Sequence, residues 1–221
     1  MSEPLVWSYS FISTYLNCPR MAHAKYVSKE VPYVETEQMR WGNKVHKAFE
    51  QRLNDKRPLT QDLMQWEPLC TQLEMTPVKA EVKMGVSALG APEEFFGHHV
   101  WGRGVVDVLK VQDDKAWIGD WKTGKVREDP LELEIFGVFI RVHNPHITKV
   151  TGNYIWMQEN RLGDAHDVSD HKRTWAFIQK ISSEIDTLKK HLGDKPWPEK
   201  QNGLCKQWCD VVSCQFNGRR R

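Results

Sequence analysis

The chain contains no apolar run long enough to cross a bilayer, and its N-terminus lacks the basic-then-apolar pattern of a secretory leader. From both absences we expect a soluble, cytoplasmic protein with no membrane partner (the host cytoplasm, if a phage encodes it). No internal repeat and no low-complexity linker is present, so neither a solenoid nor a flexibly tethered array is expected. Charge of one sign is lacking as well. The 31 Lys and Arg face 29 Asp and Glu, so any surface for a polyanion must come from local segregation of charge. Cysteine is sparse, with five residues, and an intracellular chain disfavours pairing them as disulfides.

What is present suits one compact α/β enzyme. A chain of 221 residues can bury a sizeable core. We divide it into a main domain over 1–193 and a cysteine-containing tail over 194–221 that packs on the N-terminal segment. The 10 tryptophans are read as core or groove packing. Ser10 is expected to cap a short helix with Phe11, Tyr15 and Leu16 inward, and Pro19 to start another reaching Tyr26. Thr36 to Leu53 has helical spacing of Met39, Val45, Phe49 and Leu53. Residues 60–75 are helical with a break at Pro68. Pro77 to Ala88 alternates, placing Val78, Ala80, Val82 and Met84 on one side and Lys79, Glu81 and Lys83 on the other. Residues 100–111 and 116–123 read as two strands of a hairpin. Asp129-Pro130 opens a helix to about Val142, Thr148 to Gln158 is a strand, and Ser169 to Leu192 is a long helix ended by Gly193.

The hairpin carries the chemistry. Gly104-Val105-Val106-Asp107 lies on its first strand and Gly119-Asp120-Trp121-Lys122-Thr123-Gly124-Lys125 on its second. Alternation puts Asp120 and Lys122 on one face. If Asp107 shares that face, two carboxylates able to hold a hard divalent cation meet an ammonium able to align a water or offset developing negative charge. An Asp–Lys pair on a solvated strand face is the plainer alternative.

Other segments extend the pattern. The N-terminus carries Ser10-Phe11-Ile12-Ser13-Thr14-Tyr15-Leu16-Asn17-Cys18-Pro19, the first long helix carries Gly42-Asn43-Lys44-Val45-His46, and Cys205, Cys209 and Cys214 close the chain. In this order, over nearly the whole chain, the segments resemble the RecB-like branch of the PD-(D/E)xK nucleases, including its CRISPR-adaptation and phage exonuclease-like members. The resemblance implies a restriction-endonuclease-like core, a central mixed β-sheet flanked by helices. It implies a metal centre of His46, Asp107, Asp120 and the backbone carbonyl of Trp121, holding Mg²⁺ or Mn²⁺, with Asp107, Asp120 and Lys122 catalytic.

Four accessory positions stay open at this stage. Glu81 is either an exposed strand residue between two lysines or an acid at the edge of the metal site. Glu50, one turn beyond His46, either orients that imidazole or sits in solvent. The family's Gln-x-x-x-Tyr motif falls on Glu132 and Phe136, so both of its polar groups are replaced here. Cys70 reads as a buried thiol. By the same resemblance, Cys18, Cys205, Cys209 and Cys214 hold a [4Fe–4S] cluster; tetrahedral zinc is the alternative, and no metal the third.

The function implied is a metal-dependent DNA nuclease, an exonuclease or end-processing enzyme acting on single strands or ends in repair, recombination or phage DNA processing. Unwinding would come from a helicase or recombination partner, since helicase motifs are absent. The alternative from another class is a catalytically silent DNA- or protein-binding module of the same fold. A site-specific endonuclease is weaker, since no added recognition domain is evident.

Overall fold

The computed structural model describes residues 5–127 and 129–219. Residues 1–4 of the expected main domain, Glu128, and residues 220 and 221 of the expected tail lie outside this description. Chain order begins with α1 (Tyr9–Asn17), α2 (Pro19–Ala22) and a π-helical turn (His23–Val27), then α3 (Glu37–Asp55). A 3-10 turn (Gln61–Trp66) leads into α4 (Glu67–Glu74). The strands β1 (Val78–Val86), β2 (Pro92–Glu93), β3 (Gly102–Gln112) and β4 (Lys115–Lys122) precede α5 (Leu131–His143). After it come β5 (Lys149–Trp156), β6 (Arg161–Leu162), β7 (His166–Asp167), α6 (His171–Leu192) and a 3-10 turn (Gly203–Lys206). No helix among the described residues is long and apolar enough to cross a membrane.

The fold is mixed α/β, a mostly antiparallel sheet flanked by helices. Its strands run in the order β2-β1-β3-β4-β5-β6, with β7 also on β5. Only β4 and β5 are parallel, because α5 carries the chain back between them as parallel neighbours require. By contact density the chain forms two units, residues 1–6 with 35–175, and residues 7–34 with 176–221.

In the sheet unit α3 covers one face. Val45, Phe49 and Leu53 of α3 pack with Ala80, Val108, Trp121 and Ile155 from four adjacent strands. Phe49 stacks on Trp121 at a 4.1 Å centroid distance. Full burial of a side chain such as Phe49 is worth about 1.5–3 kcal/mol. The opposite face belongs to α5. A Cβ on Gly104 would meet Phe139 at 2.6 Å and Phe136 at 3.1 Å, and one on Gly152 would meet Leu133 at 3.2 Å. Glycine at these positions lets the strands lie against the helix.

Several local expectations shift. The cap of α1 is Ser8, whose hydroxyl accepts from the Phe11 N–H at 3.3 Å, and Leu16 is only half buried. Thr36 caps α3, yet Met39 is 40% exposed, so the buried stripe starts a turn later. The break near Pro68 is the change from 3-10 turn to α4, with Pro68 in the first turn, where its missing N–H costs nothing. Gly193, at φ 55°, ends α6 as expected.

In the other unit the tail meets the N-terminal segment. Arg20, 4% exposed, donates from Nη2 to Glu30 at 2.5 Å and to Ser213 at 2.7 Å. Its own N–H donates to the Pro198 carbonyl at 3.0 Å. Trp197 is buried against Tyr15 and His23. Asn202 donates to the Asn17 carbonyl and Lys200 to that of Leu16.

The glycine contacts generate a paired prediction. Gly104→Ala should lower stability by about 1–3 kcal/mol, since a methyl there overpacks two phenylalanines. Gly124→Ala, with no atom within 4 Å of the added carbon, should be silent. Urea denaturation of both variants checks this, and equal midpoints would contradict the packing.

Candidate functional site

The site begins where β3 and β4 part. Their ladder runs from Gln112↔Lys115 to Val108↔Gly119 and stops. A backbone N–H left without a ladder partner needs another acceptor. Asp107 supplies it: its Oδ2 accepts from the Trp121 N–H at 2.9 Å. Its Oδ1 lies 3.3 Å from His46 Nδ1.

Glu81 completes a group of three. It sits on β1 between the paired positions Ala80↔Val108 and Val82↔Val106, where regular register would oppose it to Asp107. That pairing is missing, because Glu81 has a left-handed backbone, φ 53°. Such a conformation costs a non-glycine residue about 1–2 kcal/mol. Its Oε1 lies 3.3 Å from the same His46 Nδ1. One ligand atom from each of His46, Glu81 and Asp107 falls within 4.8 Å of the others, as a divalent cation would require. The left-handed backbone is the signal that strand alternation alone does not carry.

Electrostatics agree with a site built for positive charge. Burial would depress the His46 imidazolium, but hydrogen bonds to Asp107 and then Glu81 more than offset it and raise its pKa to about 10. With no other cation among them, a proton on His46 offsets one of the two negative charges.

Asp120 and Lys122 form a second group on the α5 side. Asp120 is 2% exposed, so it does not stand on an open strand face. Lys122 Nζ lies 2.6 Å from Asp120 Oδ2 and 2.5 Å from Glu132 Oε2, and 5.2 Å from the Tyr154 ring centroid. Burial first, then the charges of Glu132 and Asp107, push the Asp120 carboxyl well above its usual range. Burial also raises Glu132. For Lys122, burial opposes the charge, but Asp120 and Glu132 overcome it and hold the ammonium protonated.

Thus His46 and Asp107 come together with Glu81, while Asp120 joins Lys122 and Glu132. The Asp107–Trp121 hydrogen bond ties the two groups. Glu50 takes Lys47 at 2.7 Å rather than orienting His46. Phe136 is buried against Gly104, in the core rather than at the site. A cleft of about 570 Å³ opens over the first group, lined by Met39, Gly42, His46, Lys47, Glu81 and Thr123 among others.

Within the other unit, Cys18, Cys205, Cys209 and Cys214 line one cavity of about 150 Å³. All four are free thiols, and the three in the tail are buried. Burial raises the Cys214 thiol. Among the described residues no three of these sulfurs lie within 4.8 Å of one another. Cys70 stands apart in the α3-side core, fully buried, its thiol pushed up to about 12 by burial.

No family model matches the chain, and no curated protein matches it. Crystal structures that share its fold include these two. SSO0001 is 14% identical, covers 98% of this chain and 89% of its own, and gives a TM-score of 0.55. A protein named "Putative exonuclease", from Eubacterium rectale, is 12% identical, with 93% and 87% covered and a TM-score of 0.53. At these identities the likeness concerns the fold.

The geometry predicts a metal titration. Wild-type protein should bind one Mn²⁺ per chain by calorimetry, with Asp107→Ala abolishing binding. His46→Ala and Glu81→Ala should each weaken it about 10–100-fold, by analogy with other losses around metal sites. Glu50→Ala should leave it unchanged; weaker binding in that variant would move the centre toward Glu50.

Proposed function

We propose that the chain is a metal-dependent DNA nuclease of the RecB-like PD-(D/E)xK type, an exonuclease or end-processing enzyme. The observation that carries this reading is the convergence of His46, Glu81 and Asp107 beside a lysine held by Asp120 and Glu132. The fold shared with the protein named "Putative exonuclease" supports it. Retention of the acids and the lysine favours an enzyme over a silent binding module.

His46, Glu81 and Asp107, with Asp120 next along, would hold Mg²⁺ or Mn²⁺. A divalent cation bound there supplies Lewis acidity toward a phosphate oxygen and makes water a better nucleophile. His46 must release its Nδ1 proton before that nitrogen can act as a ligand. The two carboxylates bound to Lys122 fix its ammonium, which then aligns the attacking water and offsets charge developing on the phosphate. Any strand separation would be left to a helicase or recombination partner.

Lys122→Met and Asp120→Asn should each reduce hydrolysis of end-labelled DNA by about 100-fold or more. Asparagine preserves volume at a buried position, so far-UV circular dichroism should be unchanged. Cleavage should require Mg²⁺ or Mn²⁺ and stop in EDTA. Near-parental cleavage by a folded Lys122→Met chain sinks the assignment. DNA binding without cleavage under every metal condition favours the silent module.

For the four cysteines we propose a [4Fe–4S] cluster, with zinc the competing occupant. Sulfurs around tetrahedral zinc stand about 3.8 Å apart, given Zn–S bonds of about 2.3 Å. That no three of the sulfurs lie within 4.8 Å of one another favours a polynuclear group over a tetrahedral zinc ion. Anaerobic purification should yield a brown protein with about four iron and four sulfide per chain, bleached by Cys209→Ser. Stoichiometric zinc would overturn this.

A further inference from the structure

Beyond the candidate metal site, the α3 face of the sheet carries cations and aromatic rings along β1 and β3. Gly104 faces α5, so its neighbours Arg103 and Val105 point to the opposite face, the one to which Glu81 and Asp107 turn toward His46. Register places Lys83 opposite Val105 and Gly85 opposite Arg103. Arg103 lies four residues from Asp107 on β3, about 13 Å along the strand. That distance is a few nucleotides of extended chain.

At the end of this path the Arg103 guanidinium sits 5.1 Å from the Phe95 ring centroid and 5.2 Å from that of Phe96. Lys83 Nζ lies 5.9 Å from Phe95. The two rings meet edge to face at 4.8 Å, and Phe96 is 76% exposed. Neither Arg103 nor Lys83 has a carboxylate ion pair among the described residues, so their donors are available to phosphate. Glu93, at the end of β2, and Glu94 just precede the two rings, so local charge is modest and ring stacking must supply much of the affinity.

We propose that Phe96, supported by Phe95, with Arg103 and Lys83, forms a binding site for a single DNA strand that stacks an unpaired base and leads the backbone toward the metal site. A duplex hides its base faces and cannot use an exposed ring in this way, whereas any unpaired base can stack on it. Two cations beside the rings complement the phosphates of such a strand. The inference rests on the nuclease reading for its direction and deepens it by assigning the strand a second point of attachment.

Binding of fluorescein-labelled oligothymidine and of a blunt duplex to the full-length chain in EDTA, where nothing is cleaved, tests this. Phe96→Ala and Arg103→Ala should weaken single-strand binding about tenfold, with duplex binding unchanged. Phe96→Trp should preserve it, and Lys83→Ala should reduce the salt slope by about one. Parental single-strand affinity in Phe96→Ala, or an equal loss for the duplex, overturns the proposal. A chain that binds single strands through Phe96 yet never cleaves them refutes the nuclease reading and leaves this site standing. A cleaving chain indifferent to Phe96 refutes this site alone.

Discussion

Asp107 is the joint on which the candidate site depends. One carboxylate oxygen takes the Trp121 N–H where the β3–β4 ladder ends, and the other faces His46. A buried carboxylate is tolerated only when hydrogen-bonded or paired. Here the same two contacts that satisfy it also fix the separation of the strands and the approach of α3. Trp121 is held from both sides, by this bond and by Phe49 stacked on its ring. Its neighbours Asp120 and Lys122 are thereby fixed toward α5. Position and charge share one residue, so the strands cannot close without losing the oxygen that faces His46.

Charge balance explains how so many ionisable groups stay folded together. Four carboxylates, Glu81, Asp107, Asp120 and Glu132, face two cations, protonated His46 and Lys122. The formal excess is two negative charges, reduced by the upward shifts of Asp120 and Glu132. Leaving a buried charge uncompensated costs several kcal/mol. A divalent cation that displaces the His46 proton adds two charges and removes one, so the metal-bound centre is closer to neutral. Affinity for such an ion follows from the same repulsion that raises these carboxyl groups.

Much of the fold was legible because period-two and period-3.6 patterns directly report burial. The hairpin of 102–122, the Val45–Phe49–Leu53 stripe and the helix stop at Gly193 all rest on such local rules. Three features are not local. Glu81 looked like one tooth of an alternating strand, and only the left-handed backbone shows it turned toward His46. Asp120 could be read as standing on a solvated strand face, whereas α5 returns over it from a distance in sequence. Arg20 looked unremarkable, yet it joins Glu30 to Ser213 across more than 180 positions.

The Glu132 substitution fits the same physics. Where the resemblance implies a glutamine, this chain places a carboxylate that reaches Lys122. A neutral amide could accept one hydrogen bond but could not balance charge. Buried between Asp120 and Glu132, the Lys122 ammonium is held more firmly than in a single pair, and it stays protonated despite burial. The second acid also limits how readily Lys122 can move, since leaving Glu132 would strand a carboxylate that is itself largely buried. On the proposed nuclease reading the lysine would therefore act from a fixed position, and a phosphate would have to come to it. An open cleft lies beside His46 and Glu81.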